Sequence, residues 1–175
     1  MDFSEISLIA EFPSEQKILS SNLGKVWYFA YGSNLNVDRL KSRIGEWQLS
    51  KRALVRNYKM VFNVYSKKRN GYTANLQPSD NFEDTVHGVV YRINPTQLKE
   101  LERFEGLPTV DVAVELEDGN EISHAKVFIW KTAEKEHEPP KDYRRLIEAG
   151  LQQHGYPDAT IKKIFSRFDA IRAKV

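Results

Sequence analysis

Cysteine is absent from this 175-residue chain, and its absence excludes disulfides, thiolate chemistry and cysteine-based zinc sites. It leaves the redox compartment open. Long apolar runs are missing too. Nothing approaches the roughly 20 consecutive apolar residues that cross a bilayer, so no membrane partner is expected. No charge sign dominates: 26 Lys and Arg stand against 24 Asp and Glu, a formal net charge of +2. That is too little to argue for nucleic acid as a partner. The start, Met1-Asp2-Phe3-Ser4-Glu5, is acidic where a secretory leader needs a basic stretch, so a cytoplasmic location is the default expectation. What is present, 41% hydrophobic and 29% charged residues, suits one globular domain with its own core.

The most informative stretch runs from Val26 to Leu35. Val26 to Tyr31 reads as a buried strand that stops abruptly and turns through Gly32-Ser33-Asn34. A helix then starts near Asn36, where small polar residues precede apolar spacing. Such a junction leaves amide N–H groups at a helix start, and these favour a bound anion such as a carboxylate. An ordinary tight turn has the same composition.

Residues 1–25 read as an accessory segment, and 26–175 as the domain. Strands are expected at Ala53–Val55, Tyr58–Tyr65, Tyr72–Leu76 and Val86–Ile93, from their aromatic and branched residues. Lys67-Lys68-Arg69-Asn70-Gly71 reads as a solvated turn. Asn94 and Pro95 begin a helix as cap and first helical residue, and Leu98, Leu101 and Phe104 follow along it. Val110–Glu117 alternates as a half-buried strand, turns at Asp118-Gly119 and returns over Ile122–Trp130. Two helices end the chain, one carrying Tyr143, Leu146, Ile147 and Leu151 on a face, the other Ile161, Ile164, Phe165 and Phe168. Strands with few intervening helices argue for an α+β fold: a mixed, curved, barrel-like β-sheet with peripheral helices.

Tyr28-Phe29-Ala30-Tyr31-Gly32-Ser33-Asn34-Leu35 resembles the opening motif of the γ-glutamylcyclotransferase family. Gly88-Val89-Val90-Tyr91-Arg92-Ile93, followed by Leu98 through Glu105-Gly106, is similar to the family's second signature. Pro139-Pro140-Lys141-Asp142-Tyr143, with the later Gly155-Tyr156-Pro157, resembles its C-terminal part. The three motifs stand in order between about Val26 and Ile161. The resemblance implies a small closed sheet with a pocket at one end. It implies a small-molecule γ-glutamyl substrate, no cofactor, and cyclisation to 5-oxoproline with release of an amine or amino acid. It marks Glu105 as the general base and acid, and Tyr28, Phe29, Ala30, Tyr31, Gly32, Ser33, Asn34, Leu35 and Tyr143 as substrate-binding. Strand alternation puts Tyr28 and Ala30 on the face opposite Phe29 and Tyr31, so one pair also has the core as a destination. Tyr143 has an equally simple reading as a helix-face residue packed on the sheet.

Glu105 also stands out without the resemblance. It ends a helix, where the dipole mildly disfavours a carboxylate, and precedes Gly106, which tolerates conformations closed to other residues. One departure from the family pattern matters. A tyrosine usually follows the Glu-Gly by several residues, but here the chain reads Leu107-Pro108-Thr109-Val110-Asp111. An acid at that place would make Glu105 a stronger base by like-charge repulsion, or the loss would leave a catalytically silent binding domain. His87, His124, His137 and His154 have no metal-ligand spacing, and no metal is expected. Ser33 lacks a paired histidine and the sequence of a nucleophile elbow. The leaving group and the oligomeric state stay open.

Overall fold

The computed structural model describes residues 24–175. The accessory segment lies outside the described residues, apart from Gly24 and Lys25. Strand β1, Val26–Ala30, ends where the aromatic run meets Gly32. A single 3-10 turn, Ser33–Leu35, leads into helix α1, Val37–Ile44. Asn36 caps α1, its Oδ1 accepting from the Arg39 amide at 3.1 Å. Strands β2 (Leu49–Arg56), β3 (Tyr58–Ser66), β4 (Gly71–Pro78) and β5 (Thr85–Ile93) follow. Helix α2, Pro95–Glu105, starts as its sequence demands. Asn94 and Gln97 form a reciprocal capping box, and Pro95 sits at the first turn, where no amide is needed. Strands β6 (Val110–Leu116) and β7 (Glu121–Val127) make a hairpin, and helices α3 (Lys141–Gln153) and α4 (Asp158–Arg172) complete the chain.

Five strands close into a barrel in the order β1-β5-β2-β6-β7. The β1–β7 seam is parallel and the other pairs are antiparallel. This is the mixed, barrel-like α+β architecture that the strand pattern predicts. Strands β3 and β4 pair only with each other, a separate ribbon that the pattern alone does not distinguish from the barrel. A bulge between Phe62 and Val64 interrupts their register.

The apolar faces of the last two helices behave as expected. Tyr143, Ile147 and Leu151 of α3 are buried, as are Ile161, Phe165 and Phe168 of α4. Phe62 of the ribbon meets the rings of Phe165 and Phe168, each centroid 5.8 Å away. Helix α2 differs. Leu101 is buried, but Phe104 is 43% exposed, because a three-residue step falls about 60° short of a full helical turn. Two such steps carry Phe104 off the face that Leu98 starts, and its ring lies under Arg43 and Arg103 instead.

Two of the contacts that join the outer elements to the barrel set the site. Helix α3 packs directly on the turn after β1: a Cβ on Gly150 would come 2.4 Å from the Leu35 carbonyl carbon and 2.6 Å from the Asn36 nitrogen. Gln153 Oε1 adds a hydrogen bond from the Val37 amide at 2.8 Å. Buried Asn75 of β4 ties the segment after β7 to the ribbon. Its Oδ1 accepts from the Trp130 amide at 3.0 Å, and its Nδ2 donates to the Trp130 carbonyl at 2.9 Å. No helix among the described residues is long and apolar enough to cross a membrane.

Gly150→Ala is expected to lower the unfolding free energy by about 2 kcal/mol, the usual penalty of overpacking. Denaturant titration beside the parent protein checks this; an unchanged midpoint would mean that α3 can back away from the turn.

Candidate active site

A cavity of about 330 Å³ opens where the end of β1, the following turn, α1, the end of α2, the ribbon and α3 converge. The fold brings Tyr28, Tyr31, Gly32, Ser33, Asn34, Glu105 and Tyr143 to its wall. It leaves Phe29, Ala30 and Leu35 off that wall, buried in the core. The division follows from where β1 stops. Tyr28 obeys strand alternation, but Tyr31 lies beyond the last strand residue and turns to the same cavity. Phe29 packs so closely on Gly88 that a Cβ there would meet its ring at 2.7 Å.

Glu105 is the last residue of α2. Gly106 ends the helix in the left-handed region at φ +76°, its amide donating to the Glu102 carbonyl at 2.8 Å. The carboxylate sits within a polar triangle. Arg43 Nη1 donates to Glu105 Oε1 at 2.8 Å and to Asn34 Oδ1 at 3.1 Å. Asn34 Nδ2 donates to the same Glu105 oxygen at 3.2 Å and to Tyr28 Oη at 2.9 Å. The Arg43 and Glu105 side chains are only 12% and 21% exposed, so the charge-assisted bonds act in a partly desolvated setting where they are strong. Arg43 thereby offsets the unfavourable helix dipole at Glu105. Both contacts fall on Oε1. Among the described residues Oε2 has no hydrogen-bond partner.

Three tyrosine hydroxyls are held neutral around this carboxylate. Burial pushes the Tyr143 hydroxyl up to about 12, against a downward pull from the Ala74 amide. That amide donates to Tyr143 Oη at 3.0 Å, so the hydroxyl's own proton is available to a ligand. Burial raises Tyr28, with the Glu105 charge adding to it, and burial raises Tyr31 as well. Tyr31 Oη donates to the Phe128 carbonyl at 2.5 Å. A Cβ on Gly32 would lie 2.9 Å from Tyr143 Oη; glycine there lets the loop and the hydroxyl approach each other.

The turn offers fewer amides than its sequence suggests. Those of Leu35 and Asn36 close the 3-10 turn onto the Gly32 and Ser33 carbonyls, and that of Val37 bonds Gln153. The Ser33 amide already faces the Tyr143 hydroxyl, so anion binding by the turn rests on Gly32 and Asn34. The region of the departed tyrosine turns elsewhere. The amide and hydroxyl of Thr109 both donate to Glu102 Oε1 at 3.0 Å, and Asp111 pairs with Lys126 Nζ at 2.6 Å. Neither lies on the cavity wall, so the repulsion expected between Asp111 and Glu105 does not arise across the site.

Arg39, Arg43 and Arg69 also line the cavity, and sequence reasoning overlooked all three. Arg39 and Arg43 stand four apart on α1 and so share a face, a signal that was available. Arg69 had none. It belongs to the turn read as merely solvated, yet its side chain is 15% exposed and its guanidinium lies 4.9 Å from the Tyr143 ring centroid. The histidines lie away from the cavity. His154 Nε2 is 2.7 Å from Tyr91 Oη, and His137 stacks on Tyr72.

Residues 28–147 match the family model described as gamma-glutamyl cyclotransferase, AIG2-like. The gamma-glutamylcyclotransferase of Bos taurus is 29% identical over 149 residues, which span 79% of this chain and 77% of its own. A solved gamma-glutamyl cyclotransferase superposes with a TM-score of 0.72 at 26% identity, covering 80% of this chain and 86% of its own. YkqA of Bacillus subtilis superposes with a TM-score of 0.72 at 25% identity, covering 89% of this chain and 58% of its own.

Tyr143→Phe removes the acceptor of the buried Ala74 amide and is expected to destabilise the fold by about 1–3 kcal/mol. Equilibrium unfolding measures it; a neutral result would mean that the amide finds water or another acceptor.

Proposed function

The chain belongs to the gamma-glutamyl cyclotransferase, AIG2-like family, and from that premise we propose that it cyclises γ-glutamyl compounds to 5-oxoproline with Glu105 as the proton carrier. A γ-glutamyl compound contains its own nucleophile, an α-amino group that is protonated near neutral pH. Glu105 takes that proton on Oε2. The free amine attacks the side-chain carbonyl carbon, and a five-membered ring closes as the C–N bond to the leaving amine breaks. Glu105 then returns the proton to the departing nitrogen. The ring nitrogen, left with two protons after the attack, gives one up to the released amine, so the balance is complete without a cofactor: one γ-glutamyl amide gives one 5-oxoproline and one ammonium ion of the leaving amine.

The observation that carries this reading is the asymmetric anchoring of Glu105. Arg43 and Asn34 hold Oε1, which fixes the carboxylate and leaves Oε2 to the substrate. Positioned proton transfer of this kind supplies a factor of about 10² to 10⁴. Holding the chain folded for attack supplies more, since well-oriented intramolecular reactions reach effective molarities of about 10⁵ M or above. In this reading the amides of Gly32 and Asn34 polarise the carbonyl oxygen, and Arg39, beside Ser33, receives the α-carboxylate. Neutral Tyr143 donates from the other wall. A silent binding domain is the second reading, favoured by Thr109 turning to Glu102 where the family places a tyrosine.

Glu105→Gln is expected to reduce 5-oxoproline release from a γ-glutamyl amino acid by about 10²- to 10⁴-fold while the variant still binds the compound in calorimetry. Release by the parent protein that survives the substitution would sink Glu105 as the base. Binding without release in the parent would favour the silent domain.

A further inference from the structure

The charges on the cavity wall do not balance. Arg39, Arg43, Lys68 and Arg69 share it with one carboxylate, Glu105. Glu105 is engaged by Arg43. Arg69 has an acidic partner in Asp142 at 3.3 Å, but that side chain is 71% exposed, so solvent screens much of its effect. The guanidinium of Arg39 donates to the neutral Ser33 Oγ at 3.1 Å. Neither Arg39 nor Lys68 forms an ion pair among the described residues. The arginines also repel one another: burial first, then the charges of Arg43 and Arg69, pull the Arg39 pKa down. Like charges gathered in a partly desolvated cavity raise its energy until an anion enters.

One carboxylate on the γ-glutamyl head answers only part of this excess. Arg39, next to the turn, accounts for it. Lys68 and Arg69 remain, and they come from a different element, the turn between β3 and β4. Arg69 is held there by stacking on the Tyr143 ring, which makes it a fixed donor fork rather than a mobile surface charge. Lys68 is exposed and can reach toward the same ligand.

We propose that Lys68 and Arg69 determine specificity by binding a carboxylate on the leaving group, so that the cavity takes γ-glutamyl compounds whose leaving amine is anionic and rejects those whose leaving amine is neutral or cationic. This rests on the γ-glutamyl reading of the site. The relevant chemistry is the second carboxylate of a γ-glutamyl amino acid or peptide. A γ-glutamyl polyamine would bring a positive charge against the two cations.

γ-Glutamylalanine and γ-glutamylethylamine differ only by that carboxylate, and γ-glutamylputrescine adds a charge of the opposite sign. The parent protein is expected to favour γ-glutamylalanine over γ-glutamylethylamine by about tenfold or more in kcat/KM, and to handle γ-glutamylputrescine worst. Lys68→Gln and Arg69→Gln should each shrink the preference through KM for γ-glutamylalanine. The double variant should bring it to within about threefold of unity, and Arg69→Lys, which keeps the charge but loses the stacked fork, should keep only part of it. Equal handling by the parent, or a preference that survives the double variant, overturns the proposal. Calorimetric titration of Glu105→Gln with the first two compounds separates this from the reaction itself. If nothing is turned over, the cyclisation reading fails and the titration decides alone. Tighter binding of γ-glutamylalanine that is lost on adding Lys68→Gln and Arg69→Gln upholds the role of the turn. Equal affinity, or binding of neither compound, removes it.

Discussion

Helix α3 and the turn after β1 meet without side chains between them. Gly150 lies so close to the backbone at Leu35 and Asn36 that any larger residue would enter it. The turn is thereby pressed between the helix and the barrel, with Leu35 sealed underneath. Gly32, Ser33 and Asn34 inherit their positions from that contact, and Asn34 in turn sets Glu105 and Tyr28. Tyr143, two turns earlier on α3, arrives beside Gly32 because the same helix is docked there. One backbone-to-backbone approach thus places both walls of the cavity.

The polar network that results is largely buried, and its deeply buried members are satisfied. Asn34 uses its amide nitrogen toward Tyr28 and Glu105, and its oxygen toward Arg43. No deeply buried side-chain nitrogen or oxygen among the described residues lacks a partner. A half-satisfied network would be worse than an apolar wall, since each orphaned polar group costs about 1–3 kcal/mol. Satisfaction on one side only, at Oε1, is what makes a structural ion pair compatible with a chemical role. A carboxylate gripped through both oxygens would be equally well placed and far less available.

The cavity also depends on a piece of the fold that stands outside the barrel. The β3–β4 ribbon supplies Ala74, whose amide orients Tyr143, and the turn that carries Lys68 and Arg69. Asn75 binds the ribbon to the chain leaving β7 through its side-chain amide, and the Phe62 backbone adds bonds to His137 and Glu136. The bulge after Phe62 admits Asn63, which accepts a hydrogen bond from Asn75 at 3.1 Å. Within this arrangement the ribbon's charges are tied to the same frame as the carboxylate they complement.

The sequence by itself determined what short-range physics controls. Asn94, Pro95 and Gln97 specified the start of α2, and Gly106 its end. The aromatic run into Gly32 placed the stop of β1 one residue late, at Tyr31 instead of Ala30, and Asn36 specified the cap of α1. Glu105 was legible because a carboxylate at a helix exit next to glycine is locally unfavourable and so calls for a partner. The tertiary structure decided which partner. Arg43 is 62 residues away, and no local pattern selects it over the other arginines. Nor does alternation say that Tyr31 escapes its strand while Phe29 stays in the core, or three-residue spacing that Phe104 leaves its stripe. A turn of Lys67-Lys68-Arg69 reads as solvated in any sequence. Only the docking of α3 gives Arg69 a ring to lie on, because long side chains take their place from what the fold brings near them.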